Sequence, residues 1–308
     1  MACGMKYLGW LSETGRLPPR GRLLDIGESC LLGATAEELE TLARRHGCSL
    51  PDEQLKPLLD VFATRSNTIG NPELPTLFLS ELLELTEIEY VAFDVVAARK
   101  CERFDLNVHR VAESHRGTFD LVLNFGTTEH LVNQFNAFRV MHDAVRPGGF
   151  IFSQVPSTGF LSHGYFCYTP LMFRELAAAN GYELVELWFT GPMGAGHPVV
   201  NSDPHPGIFD ATKPHNNVAA HKVTAIPDNV INVLYRKPAA VPGAANAEFL
   251  LGLEVSTAAG VLNRSAAYTS PYIHVDRPAP PQPAEPPPPA RSFLKRVLGK
   301  VGLGKRAA

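Results

Sequence analysis

The chain has 308 residues, of which 45% are hydrophobic, as expected for a protein that buries a core of its own. A formal net charge of −3 gives no overall attraction for nucleic acid or for an acidic membrane. The five cysteines are scattered and form no C-x-x-C pair, which argues against a disulfide framework and against a zinc site. Since we find no signal peptide and no apolar stretch long enough to span a bilayer, we expect a cytoplasmic protein with reduced cysteines and no metal.

Composition divides the chain into five predicted parts. These are a leader at 1–20, an α/β domain at 21–237, an Ala-rich extension at 238–274, a proline-rich linker at 275–290 and a basic tail at 291–308. The linker contains PAPPQPAEPPPP, which favours extended polyproline II and cannot build a packed core.

Within the domain, continuous apolar runs predict strands, and helical segments are predicted between them. The strands are expected at 21–27, 89–96, 118–126, 148–156, 183–191 and 229–237. The helices are expected at 36–46, 52–63, 76–86, 131–145 and 170–180. Alternation of this kind predicts an α/β fold with a doubly wound, mostly parallel sheet covered on both faces. The last two strands, separated by a long loop at 190–229, could form an antiparallel edge.

The first strand runs into Asp25-Ile26-Gly27-Glu28-Ser29. A glycine directly after a strand lets backbone approach a ligand, although a plain tight turn is the other interpretation. The loop lacks the G-x-G-x-x-G of phosphate binding, and Glu28 puts negative charge where a pyrophosphate would sit. The loop therefore suits a cationic or zwitterionic ligand better than a dinucleotide.

Acids follow the next strand and the short segment after it. Asp94 is well placed to bind both hydroxyls of a ribose. Asp105 could accept a hydrogen bond from an adenine amine, with Leu106 against the ring, or it could form an Asx turn. Further along, Asn124 lies in a strand that runs into a small-residue loop, which permits close approach of a ligand.

FDLVLNFGTTEHL and RPGGFIFSQVP occur in this order, about a helix apart, and each lies at a strand end. With these motifs, residues 20–190 resemble the class I S-adenosylmethionine-dependent methyltransferases. The resemblance implies a seven-stranded Rossmann-like sheet and S-adenosyl-L-methionine as cofactor. It also implies a set of cofactor contacts: Asp25 and Gly27 at the methionine part, Asp94 at the ribose, Asp105 and Leu106 at the adenine, and Asn124 and Gly126 near the sulfonium.

Two features depart from the family pattern. Ser29 and Leu31 stand where the family has its second and third glycines. The segment between Gly27 and Asp94 is about twice the usual length of a βαβ unit, which predicts a helical insertion at about 48–75 that could cap the site or contact another subunit.

Methyl transfer is an in-line displacement, and an oxygen or nitrogen acceptor also needs a base near neutral pH. His130 and His163 are the candidate catalytic bases, although His130 could instead cap a helix or touch the cofactor. The predicted function is methyl transfer to a small-molecule or glycan acceptor, on oxygen. A methyltransferase-fold binding or scaffold protein without catalysis is the alternative, and the missing phosphate loop disfavours a nicotinamide-dependent oxidoreductase.

The last part of the chain reads RSFLKRVLGKVGLGKRAA. Its apolar residues fall near helical spacing, and basic residues fill the remaining face without an acid. This pattern is typical of a basic amphipathic helix, which could rest on an anionic membrane surface or dock on a partner. Three glycines weaken such a helix, so a disordered, solvated tail is the other interpretation.

Overall fold

The structure, a computed structural model, describes residues 2–68, 74–96, 101–160, 163–190, 228–239, 249–256, 262–268 and 277–278. Most of the predicted loop at 190–229, the linker apart from residues 277–278, and the whole basic tail lie outside these residues. The chain forms two compact units. The first comprises the described residues of Met1–Arg22 and Glu28–Phe104, and the second those of Leu23–Gly27 and Asp105–Pro278.

The described residues form thirteen strands, six α-helices and one 3-10 turn. The strands are β1 (Ala2–Gly4), β2 (Arg22–Asp25), β3 (Cys30–Leu32), β4 (Glu89–Asp94), β5 (Cys101–Arg103), β6 (His109–Arg110), β7 (Phe119–Phe125), β8 (Val145–Thr158), β9 (Glu183–Thr190), β10 (Asn229–Arg236), β11 (Leu251–Ser256), β12 (Leu262–Tyr268) and β13 (Arg277–Pro278). The helices are α1 (Met5–Glu13), α2 (Ala36–Arg45), α3 (Asp52–Ser66), α4 (Leu79–Leu83), α5 (Gln134–Ala144) and α6 (Pro170–Asn180), with a 3-10 turn at Thr128–His130.

Seven strands form one sheet in the order β5-β4-β2-β7-β8-β10-β9. In the second unit β2 pairs with β7 and β7 with β8 in parallel, whereas β10 is antiparallel to both β8 and β9. In the first unit β4 and β5 are parallel. Leu121, Val122 and Leu123 of β7 are all fully buried, as a strand covered on both faces requires. The predicted doubly wound, mostly parallel seven-stranded sheet is confirmed.

Helix α2 shows why the first unit folds as its sequence predicts. Thr35 accepts a hydrogen bond from the N–H of Glu38, and the Glu38 carboxylate accepts one from the N–H of Thr35. This capping box defines the helix start, and Leu39 and Leu42 lie on the buried face.

The segment predicted as a leader contains helix α1. Its Leu8 and Leu11 are fully buried, and the Ser12 hydroxyl lies 2.7 Å from Nε2 of His46. Leu8 and Leu11 therefore lie on the buried face of a helix within the first unit. The predicted insertion contains α3, whose Arg65 forms a buried ion pair with Glu81 at 2.7 Å.

The predicted antiparallel pairing of the last two long strands is also present. Strand β10 lies between β8 and β9, so that β9 is at the end of the sheet. None of the helices in the described ranges is long and apolar enough to cross a membrane.

Candidate functional site

In the first unit, the carboxylate of Asp94 closes the turn that follows β4. Its Oδ2 accepts a hydrogen bond from the N–H of Glu28 at 3.2 Å, and its Oδ1 accepts one from the N–H of Val96 at 3.1 Å. The buried Glu28 in turn accepts a hydrogen bond from the Ser80 hydroxyl at 3.2 Å. A carboxylate oxygen can accept two hydrogen bonds, so Asp94 retains acceptor capacity for the ribose hydroxyls that the sequence assigns to it.

In the second unit, β2 ends at the fully buried Asp25. The N–H of Gly27 donates to the carbonyl of Asp25 at 3.1 Å, and Gly27 has a φ of 114°. Side chains rarely tolerate this backbone conformation, so the tight turn requires glycine at this buried position. The contact of Gly27 with the methionine part of a cofactor stays a prediction.

Asp105 forms an Asx turn. Its Oδ1 accepts hydrogen bonds from the backbone N–H and the side-chain amide of Asn107, at 2.8 and 3.1 Å. Leu106 is buried, and its carbonyl accepts a hydrogen bond from the Asn136 side chain at 2.7 Å. An adenine at this position would have to use the other carboxylate oxygen and the Leu106 side chain, so these two contacts stay predictions.

Asn124 organises the loop that follows β7. Its side-chain amide donates to the hydroxyls of Thr128 and Ser153 at 3.0 and 3.3 Å. Its carbonyl oxygen accepts from the backbone N–H groups of Thr127 and Thr128, both at 3.3 Å. The amide of the fully buried Asn124 is therefore engaged by the protein, and it positions the loop. A direct contact with a cofactor stays a prediction.

Gly126 makes room for the side chain of Glu129. It has a φ of 73°, and a Cβ at this position would lie 3.0 Å from Oε1 of Glu129. The Glu129 side chain is 1% exposed, and neither of its carboxylate oxygens has a hydrogen-bond partner among the described residues. Burial raises the pKa of Glu129 to about 7, and its own backbone amide offsets part of that effect.

The segment after residue 162 covers Glu129 from the other side. The N–H of Tyr165 donates to the carbonyl of Glu129 at 2.7 Å. A Cβ at Gly164 would lie 2.9 Å from both Cγ and the carbonyl oxygen of Glu129, so only glycine fits here. This close approach brings Nε2 of His163 to 3.7 Å from Oε1 of Glu129.

The two predicted bases meet above this carboxylate. The rings of His130 and His163 are 4.9 Å apart at an angle of 60°. Burial lowers the pKa of His130, and the charge of His163 lowers it further. Both side chains are exposed, whereas Glu129 is buried. We call Glu129, His130 and His163 the Glu-His-His cluster; one donor atom from each lies within 4.8 Å of the other two.

Sequence reasoning named both histidines but not the residue that unites them. Glu129 is inconspicuous in the sequence, because an acid at a helix start is common. The available signal was the position of this acid after the small residues of FGTTEH, where close packing buries a side chain. The distance between positions 130 and 163 along the chain concealed their proximity in the fold.

Comparisons with known proteins find one family and several similar solved structures. A methyltransferase domain family matches residues 6–198, which include the Glu-His-His cluster. The cyclase SpnF is 13% identical, with 77% of this chain and 81% of that chain covered and a TM-score of 0.36. No curated protein matches the chain.

Two solved methyltransferases are similar to the same extent. The O-methyltransferase from a trans-AT PKS multienzyme of Brevibacillus brevis, in complex with S-adenosyl-L-homocysteine, is 11% identical, with 76% of this chain and 72% of that chain covered and a TM-score of 0.40. A SAM-dependent methyltransferase from Archaeoglobus fulgidus is 12% identical, with 76% and 94% covered and a TM-score of 0.37.

Proposed function

Because the chain belongs to the class I S-adenosylmethionine-dependent methyltransferases, we propose that it methylates a hydroxyl oxygen of a small-molecule or glycan acceptor. The main support is the Glu-His-His cluster, in which two exposed imidazoles lie beside a buried carboxylate. A hydroxyl has to lose its proton during methyl transfer, and a base that titrates near neutral pH is suited to take it.

The residues at the strand ends fit the methyl donor. When bound, S-adenosylmethionine supplies a methyl carbon on a sulfonium sulfur, so attack by the acceptor oxygen breaks the carbon–sulfur bond and the sulfur keeps the electron pair. The glycine turn at Gly27 and the remaining acceptor capacity of Asp94 are compatible with a cationic nucleoside that needs no phosphate cradle. We assign Asp25 and Gly27 to the methionine part, Asp94 to the ribose, Asp105 and Leu106 to the adenine, and Asn124 and Gly126 to the loop beside the sulfonium.

One of the two histidines accepts the proton of the acceptor hydroxyl. A ring nitrogen of His163 or His130 accepts it, and the imidazolium is stabilised by the negative charge that Glu129 carries when ionised. The 3.7 Å between His163 Nε2 and Glu129 Oε1 allows this charge pairing. His163 is favoured over His130, because the neighbouring histidine and burial both oppose protonation of His130.

The same proposal places the protein in the cytoplasm, with its basic tail on an anionic membrane surface. A cytoplasmic enzyme with six basic residues at 291–308 and no acidic residue there would be drawn to acceptors carried on an anionic membrane. This tail lies outside the described residues, so its sequence is the only support for the contact.

The test measures how much S-adenosylhomocysteine the full chain forms with pairs of acceptors. The two acceptors of a pair share one carbon skeleton, and one carries a hydroxyl where the other carries an amine. We expect turnover with hydroxyl acceptors and a loss of at least about tenfold in kcat in His163→Gln. Turnover with amines alone would contradict the oxygen assignment. Tight binding of S-adenosylmethionine without turnover on any acceptor would instead support a binding or scaffold protein.

A further inference from the structure

We propose that the Glu-His-His cluster is a binding site for one divalent transition-metal ion of the Zn²⁺ class. Glu129 would supply a carboxylate oxygen, and His130 and His163 would each supply an imidazole nitrogen. The binding of the ion rests on the geometry of these three side chains. Its role in activating the acceptor rests in addition on the proposed function.

The distances are close to those of a bound ion. Metal–nitrogen and metal–oxygen bonds of about 2.0–2.2 Å place neighbouring ligand atoms about 3–4 Å apart. Nε2 of His163 and Oε1 of Glu129 are 3.7 Å apart, and the three donor atoms all lie within 4.8 Å of one another. Both imidazoles are exposed, so a small rotation of one ring would complete the geometry.

The buried carboxylate gives independent support. Both oxygens of Glu129 are buried without a hydrogen-bond partner among the described residues, and the side chain is 1% exposed. A buried polar group without a partner destabilises the fold unless a ligand binds it. The flanking Gly126 and Gly164 hold this carboxylate closely, since a Cβ at either position would lie within 3.0 Å of Glu129. A bound cation would satisfy the carboxylate where the protein does not.

The donor types select the class of ion. Two imidazoles and one carboxylate form a set that binds Zn²⁺ or Fe²⁺, whereas Mg²⁺ and Ca²⁺ prefer oxygen ligands alone. Three protein ligands leave at least one coordination position open. Because both histidines are exposed while the carboxylate is buried, the open position would face the solvent side.

An ion at this site would take over the activation that the proposed function assigns to the histidines. A hydroxyl bound at the open position would have a lowered pKa and would lose its proton to water. The histidines would then stay neutral as ligands, and the Glu129 carboxylate would offset one of the two positive charges of the ion. Activity would then depend on the metal.

Metal binding is tested directly on the untagged full chain after treatment with a chelator. We expect Zn²⁺ to bind with one high-affinity site per chain by calorimetry. Co²⁺ should show the visible absorption of nitrogen and oxygen ligands without the charge-transfer band of a thiolate, which distinguishes this site from the five cysteines. Glu129→Gln and His163→Asn should each weaken the affinity by at least about tenfold.

The matched control is Tyr165→Phe, which alters an exposed side chain in the same segment and removes no ligand. It should bind Zn²⁺ as the unaltered chain does. Should a variant lose its circular dichroism signal, His130→Asn, a change at an exposed position, provides the same comparison. A chain that binds no stoichiometric ion, variants that bind as tightly as the unaltered chain, or a thiolate band with Co²⁺ would overturn the site.

The proposed function can fail independently of the metal site. One bound ion per chain without methylation of any hydroxyl would retain the metal site and contradict oxygen transfer. Full methylation by a chelator-treated chain that binds no Zn²⁺ would retain oxygen transfer and contradict the metal site.

Discussion

Glu129 shows how a residue can be obvious in the structure and inconspicuous in the sequence. An acid directly before a histidine at a helix start fits an ordinary cap. Only in the folded chain is its side chain buried, with Nε2 of His163 at 3.7 Å from its Oε1. The sequence therefore predicts the two histidines as candidate bases from their residue type. It does not predict Glu129 as their common partner, because that role follows from the close packing of Gly126 and Gly164 on Glu129 in the fold.

At the residue scale, Gly164→Ala tests the close approach to Glu129. The added Cβ would lie 2.9 Å from Cγ and the carbonyl oxygen of Glu129, and the segment that carries His163 would have to move. We expect the free energy of unfolding to fall by about 1–3 kcal/mol, and methyl transfer to fall with it. Denaturant titration and turnover measure the two effects.

The matched control for Gly164→Ala is Gly9→Ala in α1. A Cβ there meets nothing within 4 Å, so this variant should be neutral or stabilised by up to about 1 kcal/mol. Equal effects of the two substitutions would refute the close packing of Gly164 on Glu129.

Asp94→Ala tests the predicted ribose contact. It removes the carboxylate that accepts hydrogen bonds from the N–H groups of Glu28 and Val96. It also removes the oxygens that are predicted to accept hydrogen bonds from the ribose hydroxyls. We expect the affinity for S-adenosylmethionine, measured by calorimetry, to fall at least about tenfold. Asp60→Ala, at an exposed position in α3, is the control and should bind as the unaltered chain does. Unchanged affinity in Asp94→Ala would remove Asp94 from the site.

At the scale of elements, agreement between sequence and structure follows the strength of the local signal. Apolar runs located β2, β4, β7, β8 and β10, because central strands buried on both faces need such runs. Helix α5 begins at Gln134, three residues after its predicted start, because the 3-10 turn at Thr128–His130 comes first. The very short β5 has only three residues and no apolar run, and pairing with β4 defines it.

The sequence does not predict helix α1, for a different physical reason. Its nine residues carry two apolar side chains that are fully buried, but no side-chain cap marks its start. Packing, rather than local propensity, stabilises so short a helix. This is information that a single sequence does not provide.

The capping box of α2 gives a prediction at this scale. Thr35→Ala removes the acceptor for the N–H of Glu38 and half of the reciprocal pair. We expect the free energy of unfolding to fall by about 1 kcal/mol. Thr64→Ala in α3, whose exposed hydroxyl donates to the Asp60 carbonyl, is the comparison and should change stability less. A neutral Thr35→Ala would show that packing alone sets the start of α2.

His46, at the end of α2, predicts a pH dependence of stability. Burial lowers its pKa below the ordinary 6.5 and Arg45 lowers it further, although the carbonyls of Pro18 and Pro19 oppose the shift. Below about pH 6.5 the unfolded chain therefore binds more protons, so this contribution to stability is lost as the pH falls.

His46→Gln isolates the effect of this titration. Denaturation midpoints at about pH 7.5 and about pH 5.5 should differ more in the unaltered chain than in His46→Gln. An equal or larger difference in the variant would contradict the burial of a neutral His46 against Ser12.

At the scale of the whole molecule, the doubly wound, mostly parallel sheet was the most predictable feature. Parallel strands that alternate with helices permit few arrangements, and ligands of such sheets bind beyond the carboxyl ends of the strands. Among the residues predicted for the cofactor, Asp25 and Asp94 are the last residues of β2 and β4, and Asn124 lies next to the last residue of β7. The fold does not determine which acceptor the chain methylates, because the side chains that bind the acceptor differ among proteins of the same fold.

S-adenosylmethionine should stabilise the folded chain, because it binds the native state and not the unfolded one. At a concentration about 100 times its Kd the gain is about 2.7 kcal/mol, and the midpoint of thermal unfolding should rise accordingly. NAD at the same concentration should leave the midpoint unchanged, since the loop after β2 lacks a phosphate-binding fingerprint. Stabilisation by NAD alone would favour an oxidoreductase.

The most direct measurement of the chemistry uses S-adenosylmethionine labelled with ¹³C at its methyl group. The full chain is incubated with this donor and a small-molecule extract, and the product is examined by ¹³C NMR. We predict that the label moves to the chemical-shift region of methyl ethers, and that His163→Gln reduces this signal at least about tenfold. A label found only in N-methyl or S-methyl signals, or left entirely on the donor, would contradict methyl transfer to oxygen at the Glu-His-His cluster.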